Sequence, residues 1–388
     1  MKHRIGLILT GGGARAAYQI GVLKAIAESL PRHAHNPFPI ICGTSAGALN
    51  ATALAVNAQS FRKGVQYTHN IWRNFHANQV YRTDAVGVFN NGVLWLSGLL
   101  MASLGFRMPR QISLLDNSPL VELLEEVLPC EKIQQSIDAG LLYALSVTAS
   151  GYGSGQSVTF YQGAKDIMPW KRTRRVGVPT HIKLEHLLAS SAIPFIFPAV
   201  LINREYFGDG SMRQIAPISS ALHLGATRVL VVGVSHDDDY DPSKREHIGG
   251  HPSLAHIAGH ALNSIFLDSM EVDLERVSQI NQLVTAMPEA VRDKLNLKHV
   301  DVLSISPSQS IEKIAERFAK ELPWTIRVLL RLVGVRQHSG TSLVSYLLSE
   351  KKFCSALIDL GYHDALAQRE KISAFLDVAT PVSGEMPQ

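Results

Sequence analysis

Three short clusters in this chain have the residue types and spacing for acyl-transfer chemistry. Gly43-Thr44-Ser45-Ala46-Gly47 sets a serine in a G-x-S-x-G pattern. Flanking glycines permit a sharp strand-to-helix turn that lifts the serine hydroxyl to a helix N-terminus. There the backbone N–H groups and the helix dipole favour developing negative charge, as a nucleophile needs. Upstream lies Gly11-Gly12-Gly13-Ala14-Arg15-Ala16. A loop of this kind can aim bare N–H groups at an oxyanion, with Gly12 and Gly13 the expected donors and the N–H of Ala46 a third. Arg15 would fix that loop or add positive potential, or it is an ordinary surface arginine. A serine hydroxyl also needs a base. Asp209, in Phe207-Gly208-Asp209-Gly210-Ser211, offers one, because glycines on both sides let a carboxylate be presented closely. Each cluster alone has a plainer reading: an N-capping serine, a strand-to-helix turn without a ligand, an Asp-Gly turn.

Other chemistries fit less well. The glycine loop also matches G-x-G-x-x-A, the dinucleotide-binding turn. That reading needs an acid after the second strand to hold the ribose, and Ile41-Cys42-Gly43-Thr44 supplies none. His247, His251, His256 and His260 lack the cysteines or the H-E-x-x-H glutamate of a zinc site. Asp237, Asp239 and Asp241 alternate like a calcium loop. Pro242 and Ile248 then stand where the loop needs glycine and glutamate, which leaves a solvated acidic turn. Lys171-Arg172-Thr173-Arg174-Arg175 reads as a solvated basic loop, near which Tyr161 and Trp170 could help touch an anionic surface.

The elements that must hold these clusters alternate. Apolar runs at Arg4–Leu9, Phe38–Cys42, Leu141–Thr148, Val200–Asn203 and Arg228–Val234 are expected strands. Val302–Ile305 and, weakly, Thr180–Leu184 join them. Tyr18–Leu30 and Ala46–Asn57 are expected helices. This pattern implies an α/β fold whose mostly parallel central sheet is flanked by helices, followed by a largely helical C-terminal region. A boundary falls near Tyr240, dividing residues 1–240 from 241–388, although the strand around Leu303 can place the latter on the same sheet.

Together the glycine loop Gly11–Ala16, the elbow Gly43–Gly47 and Asp209-Gly210 resemble the patatin-like phospholipase family. A fourth piece, Ala189-Ser190-Ser191-Ala192-Ile193-Pro194-Phe195-Ile196-Phe197-Pro198, looks like the family's proline-containing block. The likeness runs from about Ile5 to Ser235. It implies a Ser45–Asp209 dyad with no histidine, no cofactor and no metal, in a catalytic domain over 1–240. It implies hydrolysis of lipid esters, as a phospholipase A or lysophospholipase. Two departures stand out. Ala16 replaces the usual closing glycine of the loop, and Ser211 follows Asp-Gly where Gly or Ala is usual. Two rival readings remain: a small-ester hydrolase with a Ser-His-Asp triad drawing on His236 or His256, and a non-catalytic lipid-binding protein of the same fold.

Composition narrows the partners. The 388 residues carry 37 Lys+Arg against 33 Asp+Glu, a net charge of +4, with no long basic block to suggest nucleic acid. Hydrophobic residues make up 46%, which excludes a disordered chain. Cys42, Cys130 and Cys354 are too far apart for a CxxC motif and too few for a disulfide scaffold. Ile5–Leu9 is too short for a signal-peptide core, and the uncharged stretch Gly92–Phe106 falls short of the ~18 residues a spanning helix needs. The expected setting is cytoplasmic, with transient peripheral contact with a membrane; the oligomeric state is not legible. Two segments suit that contact. Gly92–Phe106 is followed by Arg107 and Arg110. Ile311–Arg336 mixes arginines with Trp324 and aliphatic residues, and Pro323 is expected to split it into two helices. Apolar helix faces are, however, more often core than membrane contacts.

Overall fold

The computed structural model describes residues 4–104, 113–236, 254–266, 268–295, 297–332 and 341–377. Arg107, Arg110, Asp237, Asp239, Asp241, His247, His251 and Arg336 lie outside the described residues, as does the side chain of His256.

Ten strands form one sheet: β1 (Ile5–Leu9), β2 (Ile40–Thr44), β3 (Ala144–Gly151), β4 (Ser157–Gly163), β5 (Trp170–Arg172), β6 (Arg175–Pro179), β7 (Val200–Ile202), β8 (Glu205–Asp209), β9 (Arg228–Val232) and β10 (Asp301–Ile305). Their order is β10-β9-β1-β2-β3-β4-β6-β5, with β8 joined to the far end of β3 and β7 to β8. From β10 to β3 every pairing is parallel. These strands are wholly or mostly apolar because helices cover both faces. The C-terminal part of the chain therefore contributes a strand, β10, beside β9.

The first helix, α1 (Ala17–Ser29), is buried along most of its length. It crosses the late helix Lys351–Ala367 with the two backbones nearly touching. A Cβ at Gly21 would strike the Ile358 carbonyl, and one at Gly361 would strike the Tyr18 carbonyl. Tyr18 donates its hydroxyl to Asp364 Oδ2 at 3.0 Å across the same crossing.

Two expectations need correction. Thr180–Leu184 is not a strand. Pro179 ends β6, and Lys183 instead caps the helix Leu184–Ser190, its N–H donating to His186 Nδ1 at 3.0 Å. Lys171–Arg175 is not a loop but the hairpin of β5 and β6, turned by Arg174 at φ 57°. Trp170 stacks between Tyr161, at 5.1 Å, and His223, at 4.9 Å, so the two aromatics pack against the sheet rather than reach outward.

Candidate active site

The register of β3 brings Ser45 and Asp209 together. Its first five residues pair with β2, ending at Thr44 opposite Thr148. The next three pair with β8, starting with Asp209 opposite Ala149. One edge of one strand thus places the elbow and the aspartate at adjacent rungs, although 164 positions separate them in sequence (209 − 45).

Ser45 stands between β2 and α2 (Ala46–Val56), at φ 54° and ψ −132°. A non-glycine residue in that region stores strain of order 1–3 kcal/mol and persists only where its surroundings enforce it. They do here. A Cβ at Gly43 would lie 2.5 Å from Ala48 Cα, and one at Gly47 would lie 2.5 Å from the Thr10 carbonyl oxygen. Neither flanking position tolerates a side chain, because the end of β1 and the start of α2 pass too closely. The Ser45 hydroxyl makes no capping bond to the helix it precedes, so the plain N-cap reading does not apply.

Asp209 is fully buried. Its Oδ1 accepts from the Ser211 N–H at 2.9 Å. Burial pushes the carboxyl up to about 7, while the Ser45 hydroxyl and the N–H and hydroxyl of Ser211 hold it back. Ser45 is close enough to act on this carboxyl, yet no hydrogen bond of ordinary geometry closes between them, and Oδ2 meets no donor among the described residues. The pair is poised rather than locked. A buried carboxyl with a pKa near neutrality is suited to taking a proton at physiological pH. Among the described residues no histidine acts on it. His236 Nδ1 instead pairs with the Pro307 carbonyl at 2.8 Å.

The glycine loop lies beside the elbow. Gly12 has no room for a Cβ against Val234 Cγ2, at 2.6 Å. Gly13 adopts φ +57°, and a Cβ there would strike the Tyr346 carbonyl. The backbone N–H groups of Gly12, Gly13 and Ala46 have no hydrogen-bond acceptor among the described residues. Gly11 lines a void of about 10 Å³ together with Thr44 and Gln214.

Arg15 is neither at the surface nor at the dyad. It is 1% exposed and points into the C-terminal part of the chain. Its guanidinium pairs with Glu312 Oε1 at 2.8 Å and donates to Ser345 Oγ at 2.8 Å and Asn263 Oδ1 at 3.2 Å. It also lies 4.2 Å from the centroid of the Tyr346 ring. Burial raises the Glu312 carboxyl, but Arg15 and the Ser310 hydroxyl outweigh it and leave the pKa below its ordinary value. One arginine thus ties the loop to three separate helices.

Two residues with no role assigned from sequence complete the assembly, both in the proline-containing block. Ser190 Oγ accepts the Ser45 N–H at 2.9 Å and donates to the Thr148 carbonyl at 2.6 Å. The Ala192 carbonyl accepts the Asp209 N–H at 2.9 Å. The block clasps both members of the pair. Its sequence signal was the motif itself, which does not say what the serine holds.

Larger clefts lie elsewhere. One of about 600 Å³ is lined by Leu274, Asn281 and His299, and one of about 650 Å³ by Leu124, Gln134 and His181. Neither includes Ser45 or Asp209, and both lack the serine–carboxylate pairing that defines the site.

The family model for patatin-like phospholipase matches residues 7–222. The chain is 25% identical over 237 residues to a cGAMP-activated phospholipase of Pseudomonas aeruginosa (strain BWHPSA011 / Pa011), covering 58% of this chain and 61% of that protein. It is 26% identical over 234 residues to the uncharacterized protein YjjU of Escherichia coli (strain K12), covering 59% and 51%. It therefore spans about half to three-fifths of the length of these relatives. The structure of VipD from Legionella pneumophila aligns with a TM-score of 0.37 at 14% identity, covering 97% of this chain and 67% of that one.

Proposed function

This chain belongs to the patatin-like phospholipase family, and on that premise we propose that it hydrolyses carboxylic esters of lipids, as a phospholipase A or lysophospholipase, through a Ser45–Asp209 dyad. The observation that carries the reading is the junction on β3, where a strained elbow serine meets a buried carboxyl whose pKa is raised to about 7.

In this mechanism Asp209 accepts the Ser45 proton as Oγ attacks the ester carbonyl. The N–H groups of Gly12, Gly13 and Ala46 receive the oxyanion of the tetrahedral intermediate. Asp209 returns the proton to the departing alcohol or lysolipid, leaving an acyl-Ser45. It then takes a proton from water, which attacks the acyl carbonyl, and passes that proton to Ser45 Oγ as the acyl–oxygen bond breaks and the fatty acid leaves. Ser190 and Ala192 touch no reacting atom; they position the two residues that do.

Among the described residues no histidine acts on Asp209, and His236 is engaged elsewhere, which favours the dyad over a triad through His236. The strained, uncapped serine favours catalysis over mere lipid binding. The test is an ester panel of phospholipids, lysophospholipids, triacylglycerols and soluble short-chain esters, with Ser45→Ala and Asp209→Asn beside the wild type. Both variants should lose nearly all turnover while remaining folded. Full activity in Asp209→Asn would overturn the dyad.

A further inference from the structure

We propose that the uncharged helix Ala85–Ser103, together with the neighbouring helix Trp324–Leu332, is a docking surface for an anionic lipid membrane. This rests on the lipid reading above and names the surface through which that substrate would be reached.

The helix Ala85–Ser103 exposes apolar side chains without any charge among them. Its nineteen residues include no Asp, Glu, Lys or Arg. Val88 and Gly98 are buried, and a Cβ at Gly92 would meet Leu329 Cδ1 at 3.9 Å. Gly92 thus faces the neighbouring helix. Among the described side chains, Phe89 is 71% exposed, and Val93, Leu94 and Met101 are exposed with it, as is Leu104 just past the helix end. At 100° per residue these five fall within roughly 140° of arc, so they form a single face. The exposed polar residues among them, Asn90 and Ser97, carry no charge. A soluble helix exposes its polar face; one that exposes a contiguous apolar face marks an interaction site.

The second helix supplies the charge. Trp324 is 61% exposed, and Val328 and Arg331 are exposed at positions i+4 and i+7 from it. Trp324, Val328 and Arg331 therefore form one stripe, and Arg327 is half-buried alongside. This helix has no acidic residue either. An aromatic anchor, an aliphatic residue and arginines without opposing carboxylates complement a surface that is apolar below and anionic above. Neither helix carries an acidic residue, so the arginines meet no carboxylate on either helix and leave the face net positive. The arginines favour lipid headgroups.

The surface is coupled to the site. Leading into the apolar helix, Tyr81 packs against Phe197 with ring centroids 6.3 Å apart, and the Thr83 carbonyl accepts from Thr325 Oγ1 at 2.8 Å. On the far side of the helix, the Leu114 and Leu115 N–H groups donate to the Phe195 and Ile196 carbonyls at 3.0 and 2.9 Å. Both flanks are thus fastened to the proline-containing block that clasps Ser45 and Asp209.

The experiment uses the full chain carrying Ser45→Ala, so that binding is read without hydrolysis. Co-sedimentation with phosphatidylcholine vesicles, with and without phosphatidylglycerol, is compared for three proteins. The parent should bind, and more tightly to the anionic vesicles. Adding Phe89→Gln, Leu94→Gln and Trp324→Gln should weaken binding to both by about tenfold or more, since three exposed apolar side chains lose their burial in lipid. Arg331→Glu should weaken binding to the anionic vesicles only. The same changes in the Ser45 protein should leave hydrolysis of a soluble short-chain ester unchanged, because none of these residues belongs to the site. Undiminished sedimentation of the triple variant would overturn the proposal, as would a parent that binds neither vesicle. A parent that self-associates through this surface, shown by sedimentation velocity, with vesicle binding unaltered by the substitutions would also overturn it. Binding without any ester hydrolysis by the Ser45 protein would sink the enzymatic reading and leave the docking surface standing.

Discussion

Replacing Asp209 with asparagine should make the protein more stable as well as inactive, and the gain should grow with pH. The carboxyl is fully buried, and its pKa rises from 3.8 to about 7 on folding. A group raised in this way binds its proton more tightly in the folded chain. The stabilisation from that proton is complete below about pH 4 and is lost as pH climbs to about 7, where the buried carboxylate must ionise. A shift of about three units corresponds to roughly 4 kcal/mol in all, at ~1.36 kcal/mol per unit. Integrating between pH 5 and pH 8 gives a loss of about 2.5 kcal/mol. Asparagine keeps the Oδ1 acceptor for the Ser211 N–H but has no charge to lose. Guanidinium unfolding of wild type and Asp209→Asn at pH 5 and pH 8 would measure the difference. The advantage of the asparagine form should widen by about 2.5 kcal/mol across that range. An unchanged difference at the two pH values would refute the reasoning, because the carboxyl would then not be titrating from a raised pKa.

The same titration should appear in turnover: kcat/KM for a soluble ester should rise with slope one from acid pH and level off above about 7, and a flat profile from pH 5.5 to 8.5 would exclude Asp209 as the base. Ser190→Ala should orphan the Ser45 N–H and the Thr148 carbonyl contact, costing about 1–3 kcal/mol of stability and lowering kcat more than it changes KM. Chemical unfolding and steady-state kinetics would show whether the two losses occur together. Glu312→Gln should destabilise by about 2 kcal/mol, less than the full cost of orphaning a buried charge, because Arg15 keeps Ser345 and Asn263. Gly13→Ala should reduce soluble expression as well as turnover, since φ +57° and the Tyr346 carbonyl both oppose a side chain there. A Gly13→Ala protein with wild-type melting temperature would show that the loop relaxes freely.

The parts of the site legible in sequence were those whose chemistry is local. The elbow announces itself because Gly43 and Gly47 are needed wherever a strand turns sharply into a helix. The strands from β1 to β3 read correctly because burial on both faces makes them continuous apolar runs. Arg15 was the opposite case. Its neighbours in sequence are small residues of the glycine loop, while its actual partners lie 248 to 330 positions away, at Asn263, Glu312 and Ser345. No local pattern could separate a buried clamp from a surface arginine. Ser190 was visible as part of a motif, but its hydrogen bonds run across the sheet and depend on the register of β3. The hairpin of β5 and β6 was hidden by its charge, since Lys171, Arg172 and Arg174 are polar enough to read as loop while the backbone still pairs.

The crossing of α1 with the helix Lys351–Ala367 also fixes when, in the life of a chain, this site can exist. Protein synthesis delivers α1 first and its covering helix last, with Tyr18 and Asp364 separated by 346 positions. Until then the Gly21 groove is bare, and a chain that stops before Glu312 also lacks Arg15's partners Glu312 and Ser345. Contacts this distant in sequence form late because their loop closure must be met before they can stabilise anything. A chain cut before Glu312 would therefore carry the whole family-matched segment, residues 7–222, and yet leave the loop Gly11–Ala16 without Arg15's partners Glu312 and Ser345. The segment that the family model matches thus depends on residues well beyond it to set its glycine loop.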